Sequence, residues 1–243
     1  MSVKGADAKV IYIYMSKNKV EELIEKSLQE LQKIGWENEI KTQYSQLIFP
    51  KYRDDEQETE QNARKRISEQ EARFLFVREL ENQKDFYYSV ETPTNDTYAD
   101  FSTKEPKIGI GKSGNIDVTL YNSKLERKHL IEFKFDNVDT CTKDFLKLLC
   151  DDNQCETNYY INIIKNSDNT TKKRLENTLK DLETKKYNTA IKYVFGNYKG
   201  KIKSNLKIFV CILNDIPITE NNIIEYQIDN ENQSIKEITE RIK

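Results

Sequence analysis

Residues 114–135 read GNIDVTLYNSKLERKHLIEFKF. They form two apolar, strand-forming runs joined by a polar turn, with Asp117 inside the first run and Glu132 and Lys134 inside the second. Alternate side chains of a strand share a face, so Ile116, Val118 and Leu120 point one way and Asp117, Thr119 and Tyr121 the other. In the second run Ile131, Phe133 and Phe135 share a face, and Leu130, Glu132 and Lys134 share the opposite one. A four-residue turn at Ser123 to Glu126 sets a hairpin register that puts Val118 opposite Ile131, Ile116 opposite Phe133, and Asp117 directly across from Glu132. Facing carboxylates repel and destabilise a hairpin unless a positive charge intervenes. A divalent cation fits that need: Mg²⁺ takes hard oxygen ligands, usually one or two carboxylates with waters and a substrate phosphate. Lys134 stands about 7 Å along the strand from Glu132 on the same face. There it can hold and polarise an attacking water or stabilise the charge on a pentavalent phosphate. In a chain with 33% charged residues, E-x-K alone is commonly a solvent-facing strand. The in-register apolar halves and the elements that follow give the motif its weight.

The rest of the chain organises around this hairpin. Upstream, a long helix over about 57–82 runs through ARKRISEQEARFLFVREL, followed by a strand at 86–91 and a loop at 92–113. Downstream, Asp139 or Thr140 starts a helix through KDFLKLL, and TNYYINII (157–164) is a strand. A helix at about 170–186 comes next, and LKIFVCIL (206–213) is a last buried strand. Strands alternating with helices predict a mixed α/β sheet with helices on its faces. Near the N-terminus, AKVIYIYM (8–15) reads as a strand. Ser16 then caps a helix whose apolar stripe is Val20, Leu23, Ile24, Leu28, Leu31 and Ile34. Residues 38–60 are polar, include Pro50 and end in DDEQETE. They mark 1–56 as an N-terminal strand-helix extension of a main domain at 57–243.

Composition excludes several classes. A net charge of -2 and a mean hydropathy of -0.81 do not describe a chain coated in positive charge, although a local basic groove is compatible with them. No run of about 18 apolar residues is present, and the N-terminus lacks the apolar core of a signal peptide. No membrane association is therefore expected, and the cytoplasm is the expected compartment. Cys141, Cys150, Cys155 and Cys211 have no C-x-x-C spacing, and His129 is the single histidine, which argues against zinc and for reduced structural thiols. His129 is in phase with Ile131 and Phe133 and reads as a packed structural residue. The segment IGIGKSG (108–114) imitates a phosphate-binding loop. The required upstream glycine is replaced by Pro106, and the segment leads into a strand rather than a helix, so nucleotide binding is rejected.

With Asp117 in NID and Glu132 and Lys134 in EFK, the stretch 57–164 resembles the PD-(D/E)xK nuclease superfamily, the restriction-endonuclease-like fold. The resemblance implies a core of helix, three meandering strands, helix and strand, here about 57–82, 86–91, 115–121, 128–135, 140–150 and 157–164. It implies Mg²⁺-dependent phosphodiester hydrolysis, with Mn²⁺ substituting. Asp117 and Glu132 would bind the metal, the Phe133 main-chain carbonyl would supply a further ligand, and Lys134 would aid the water. Many members add an acid from the first helix. Glu71, between Ile67 and Phe74 on a stripe continuing to Val77, points toward the sheet, and Glu69 points further away. No proline precedes Asp117, a departure the superfamily often shows.

Lys143 and Lys147, one turn apart on a helix that packs beside the site in the family, can meet DNA phosphate or form a solvated face. The stretch 185–203 carries no acid and mixes lysines, among them Lys199, Lys201 and Lys203, with Tyr187, Tyr193, Phe195 and Tyr198. That composition suits a surface that tracks a phosphate backbone and stacks bases, or a core element if AIKYVF is a strand. The expected function is a metal-dependent DNA endonuclease, with a restriction or defence setting resting on analogy alone. The alternatives are an inactive nucleic-acid-binding or assembly protein on the same fold, and an RNA-directed nuclease. Double-strand cutters of this fold often form homodimers, and no interface is marked in the sequence.

Overall fold

A computed structural model of the chain describes residues 18–36, 46–53, 64–101, 105–135, 141–152, 155, 157–165, 187–213 and 223–237. The strand expected at 8–15, the Ser16 cap, residues 57–63 of the expected helix, its successor's Asp139 or Thr140 start, and the helix at about 170–186 lie outside these residues. In chain order the elements are α1 (Lys19–Trp36), β1 (Lys51–Tyr52), β2 (Arg64–Lys65), α2 (Glu69–Gln83), β3 (Tyr87–Ala99), β4 (Lys107–Ile108), β5 (Lys112–Tyr121) and β6 (Arg127–Phe135). They continue with α3 (Cys141–Cys150), β7 (Thr157–Lys165), α4 (Tyr187–Tyr198), β8 (Asn205–Leu213), β9 (Ile223–Asp229) and β10 (Ser234–Glu237).

Among the described residues eight strands form one mixed sheet in the order β10-β9-β8-β7-β6-β5-β3-β4, and β1 and β2 form a separate two-stranded ribbon. The pairs from β4 through β3 and β5 to β6 are antiparallel. β6, β7 and β8 run parallel, and β9 and β10 return antiparallel. Parallel neighbours need a crossover, and covering helices commonly supply it; α3 lies between β6 and β7 in the chain, and α4 between β7 and β8. Helices α1 and α2 cover one face, where Leu23, Ile24, Leu28, Leu31, Leu75 and Phe76 meet Val118, Ile131, Tyr159, Ile161 and Phe209. Helices α3 and α4 cover the other, packing Phe145, Leu148, Ile191 and Val194 on Leu130, Tyr160, Ile208 and Val210. The fold class is therefore mixed α/β. All six residues of the α1 stripe are buried, at 2% exposure or less. The cap of α1 is Asn18, whose Oδ1 accepts from the Glu21 amide at 3.0 Å.

Several expectations are corrected. The first core helix starts at Glu69 rather than 57, because Ser68 caps it and residues 64–65 pair with β1. The loop expected at 92–113 is largely strand: β3 continues to Ala99, and β5 already starts at Lys112. Pro93 is tolerated because β4 flanks β3 only at Tyr98 and Ala99, leaving an open edge at the proline that needs no N–H donor. The β3–β5 connection turns at Gly111, which has φ +97° and whose added Cβ would sit 2.3 Å from the Tyr98 carbonyl oxygen. AIKYVF is part of helix α4, and the sheet goes on past 206–213 into β9 and β10.

The hairpin register holds over three pairs, Val118 with Ile131, Thr119 with Leu130 and Leu120 with His129, but it does not reach Asp117 and Glu132, which are not backbone partners. The turn itself is Asn122 to Glu126, with the Asn122 Oδ1 accepting from the amides of Lys124 and Glu126, and a register shift between Leu120 and Tyr121 absorbs the extra residue. Ile116 does not pair with Phe133. It packs on the α3 side with Leu130 and Phe145, while Val118 and Leu120 pack on the α1–α2 side. The alternation of β5 breaks at Asp117, where β5 leaves β6. The four cysteines are buried and form no disulfide. His129 is a packing residue between the rings of Phe86 and Tyr159, and its Nδ1 lies 2.7 Å from the Thr157 carbonyl oxygen. Among the described residues no helix is long and apolar enough to cross a membrane.

Candidate active site

Backbone pairing between β5 and β6 ends at Val118 and Ile131, although β5 stays paired to β3 and β6 to β7. A strand amide left without its ladder partner needs another acceptor. The Asp117 carboxylate takes that role, its Oδ2 accepting from the Phe133 amide at 2.7 Å. The parting strands thus make a polar notch with Asp117 on one wall and Glu132 and Lys134 on the other.

Each acid of the notch has a cation beside it. Asp117 Oδ1 lies 3.6 Å from an Nη of Arg73, which also binds Glu91. Glu132 pairs with the Lys147 ammonium. The Lys134 ammonium lies 3.5 Å from Glu69, whose carboxylate accepts from the Phe135 amide at 3.2 Å. Burial raises the Asp117 carboxyl above its ordinary range, against the pull of the Phe133 amide, Lys147 and Arg73. Burial also raises Glu132, with Lys147 pulling the other way. The Lys147 ammonium is disfavoured by burial, yet Glu132 and Asp144 hold it firmly in its charged form. Among the described residues no three His, Cys, Asp or Glu side chains converge closely enough to hold a metal, because Asp117, Glu132 and Glu69 turn toward their own cationic or amide partners.

The structure brings Asp117, Glu132, Phe133 and Lys134 together and adds Glu69, Arg73, Asp144 and Lys147. Glu71 is directed elsewhere. It accepts from the Ser68 hydroxyl, and Ser68 Oγ in turn accepts from the Gln70 amide, so Ser68 and Glu71 form a cap of the S-x-x-E kind. The stripe of α2 runs through Ala72, Leu75, Phe76 and Leu80, with Phe74 55% exposed, so the phase that favoured Glu71 is overturned. The S-x-x-E spacing was the available signal for this. Lys147 is 5% exposed and serves the interior of the site rather than a DNA-facing surface; its neighbour Lys143 is half-buried. Lys199, Lys201 and Lys203 are exposed, and Lys203 pairs with Asp152. They precede β8, at the end of the parallel strands opposite the carboxyl-terminal end of β6 that carries Glu132 and Lys134.

The fold and site together define a mixed α/β protein with a charged notch at a strand divergence. No protein-family profile, curated protein or solved structure matches the chain.

Proposed function

We propose that the protein is a divalent-metal-dependent deoxyribonuclease of the PD-(D/E)xK type, hydrolysing phosphodiester bonds at Asp117, Glu132 and Lys134. The observation that carries this reading is the gathering of these three side chains where β5 and β6 part. The sequence of α2, the antiparallel β3, β5 and β6, then α3 and the parallel β7 agrees with the core order of that superfamily.

The donor set fits Mg²⁺ or Mn²⁺: carboxylate and carbonyl oxygens, with no thiol or imidazole. Tyr160 and Asn162, the register partners of Glu132 and Lys134, bury a hydroxyl and an amide oxygen that have no hydrogen-bond partner among the described residues. Such orphaned atoms are commonly satisfied by ordered water, which a hydrolytic site needs. Asp117, Glu132 and the Phe133 carbonyl would hold the ion, which when bound supplies Lewis-acid stabilisation of phosphate charge. Glu69 orients Lys134, whose ammonium can donate to the attacking water or to a phosphate oxygen. Arg73, beside Asp117, adds fixed positive charge where a phosphate oxygen gains negative charge.

The test is incubation of supercoiled plasmid, linear DNA and RNA with Mg²⁺, Mn²⁺ or EDTA. DNA cut with either metal and intact with EDTA is the expected result, and cutting of RNA alone moves the substrate to that polymer. A second reading, an inactive nucleic-acid-binding or assembly protein, is favoured by the cations already seated beside Asp117 and Glu132. Retained DNA binding with no cleavage under any metal supports it.

A further inference from the structure

Lys147 is placed unlike a surface lysine. Its ammonium reaches Glu132 from β6, Asp144 Oδ1 of its own helix at 3.3 Å, and the Asn115 main-chain carbonyl of β5 at 2.8 Å. Three N–H donors meet three oxygens. All three side chains are buried, with Lys147 and Glu132 at 5% exposure and Asp144 at 3%. The stem has a fitted channel. An added Cβ on Gly114 would stand 3.1 Å from Lys147 Cδ and 3.2 Å from the Phe101 ring, so a side chain at 114 would crowd the lysine stem. Beside the cage, the buried Tyr160 hydroxyl, without a hydrogen-bond partner among the described residues, feels the charges of Asp144 and Glu132.

An oxygen-only cage with two carboxylates and a carbonyl is what a hard divalent cation takes. We propose that Lys147 is a built-in cation occupying a metal-type subsite made by Glu132, Asp144 and the Asn115 carbonyl, so that the notch accepts one divalent ion on the Asp117 side and not two. This rests on the metal-dependent reading above. Lys147 is then a positioning residue. It holds the Glu132 carboxylate by a direct ion pair, and it supplies the charge that a second metal would bring in a two-ion site.

The experiment is Mn²⁺ titration of the full-length parent and of Lys147→Met, by calorimetry and by electron paramagnetic resonance. Emptying the cage leaves two buried carboxylates without a cation, so K147M is expected to bind one more Mn²⁺ per chain than the parent. Mg²⁺ at millimolar concentration should raise its melting temperature more than the parent's. Adding Asp144→Asn to K147M should remove the extra ion. Equal stoichiometry in the parent and a folded K147M overturns the proposal, as does a parent that already binds two ions. If K147M folds only with metal, refolding in Mn²⁺ but not in NaCl of equal ionic strength supports it, and failure in both overturns it. A parent that binds no ion while K147M binds one keeps the subsite assignment and removes the metal-dependent reading instead.

Discussion

At the scale of the residue, Asp117 does two tasks with conflicting demands. Its carboxylate stands in for a missing strand acceptor, and it is held as a partly buried charge. Because burial raises its folded-state pKa, the folded protein takes up the proton more readily than the unfolded chain. This contribution to stability is full below the ordinary aspartate range and is lost as pH rises through the raised value. Asp117→Asn keeps an acceptor for the Phe133 amide and removes the charge. Without metal it should match the parent or be slightly more stable at neutral pH, because it no longer carries a charge that burial disfavours. Urea denaturation should show that gain shrinking on acidification, while cleavage is abolished; a fully active variant would remove Asp117 from the site. Lys134→Ala makes the complementary case. An ammonium is no metal ligand, so cleavage should drop while calorimetric Mn²⁺ binding persists, and loss of binding in a folded variant would reassign the lysine. Asp117, Glu132 and Lys134 were legible because strand alternation and the register of Val118 with Ile131 depend only on local spacing. The interior role of Lys147 was not legible, because Lys143 and Lys147 one turn apart read as a phosphate-contacting or solvated face until Lys147 is known to be buried.

At the scale of the element, α2 separates the two acids that sequence phase had confused. Ser68→Ala and Glu71→Ala each dismantle the cap and should cost about 0.5–2 kcal/mol in stability, with cleavage by the folded protein near normal. Glu69→Gln loses the charge facing Lys134 and should cut the rate sharply while leaving stability close to the parent. The opposite ranking would show that Glu71 has the catalytic role. The start of α2 was readable from S-x-x-E, but RKRISEQE has a single apolar residue, Ile67, and so offers no period that marks where the helix begins. Likewise β3 hid its outer half behind Pro93 and a run of Thr and Asn, residues that usually mark loops and here lie on an open strand edge. The hairpin turn that ends this half depends on Gly111. Gly111→Ala should cost more than about 1 kcal/mol, since a Cβ meets both the left-handed backbone and the Tyr98 carbonyl, and chemical denaturation will read it.

At the scale of the whole molecule, α1 belongs to the same core as the strands that carry the site. Leu28→Ala, at a position 1% exposed, should destabilise the protein by about 2–5 kcal/mol in a single cooperative transition. A separate low-temperature transition would make α1 an independent appendage. The distant lysines give a different kind of test. Changing Lys199 and Lys201 to Gln should flatten the dependence of log DNA affinity on log salt by about two units if both meet phosphates. An unchanged slope leaves them as solvated charges at the far end of the sheet. The margins of that sheet are unequal. Among the described residues one edge strand, β10, is only four residues long. On the other side β4 covers β3 only at Tyr98 and Ala99, so most of the 13-residue β3 presents its outer backbone unpaired. An open strand edge is a template for a further strand, and Pro93, with no N–H to donate, interrupts that template part-way along.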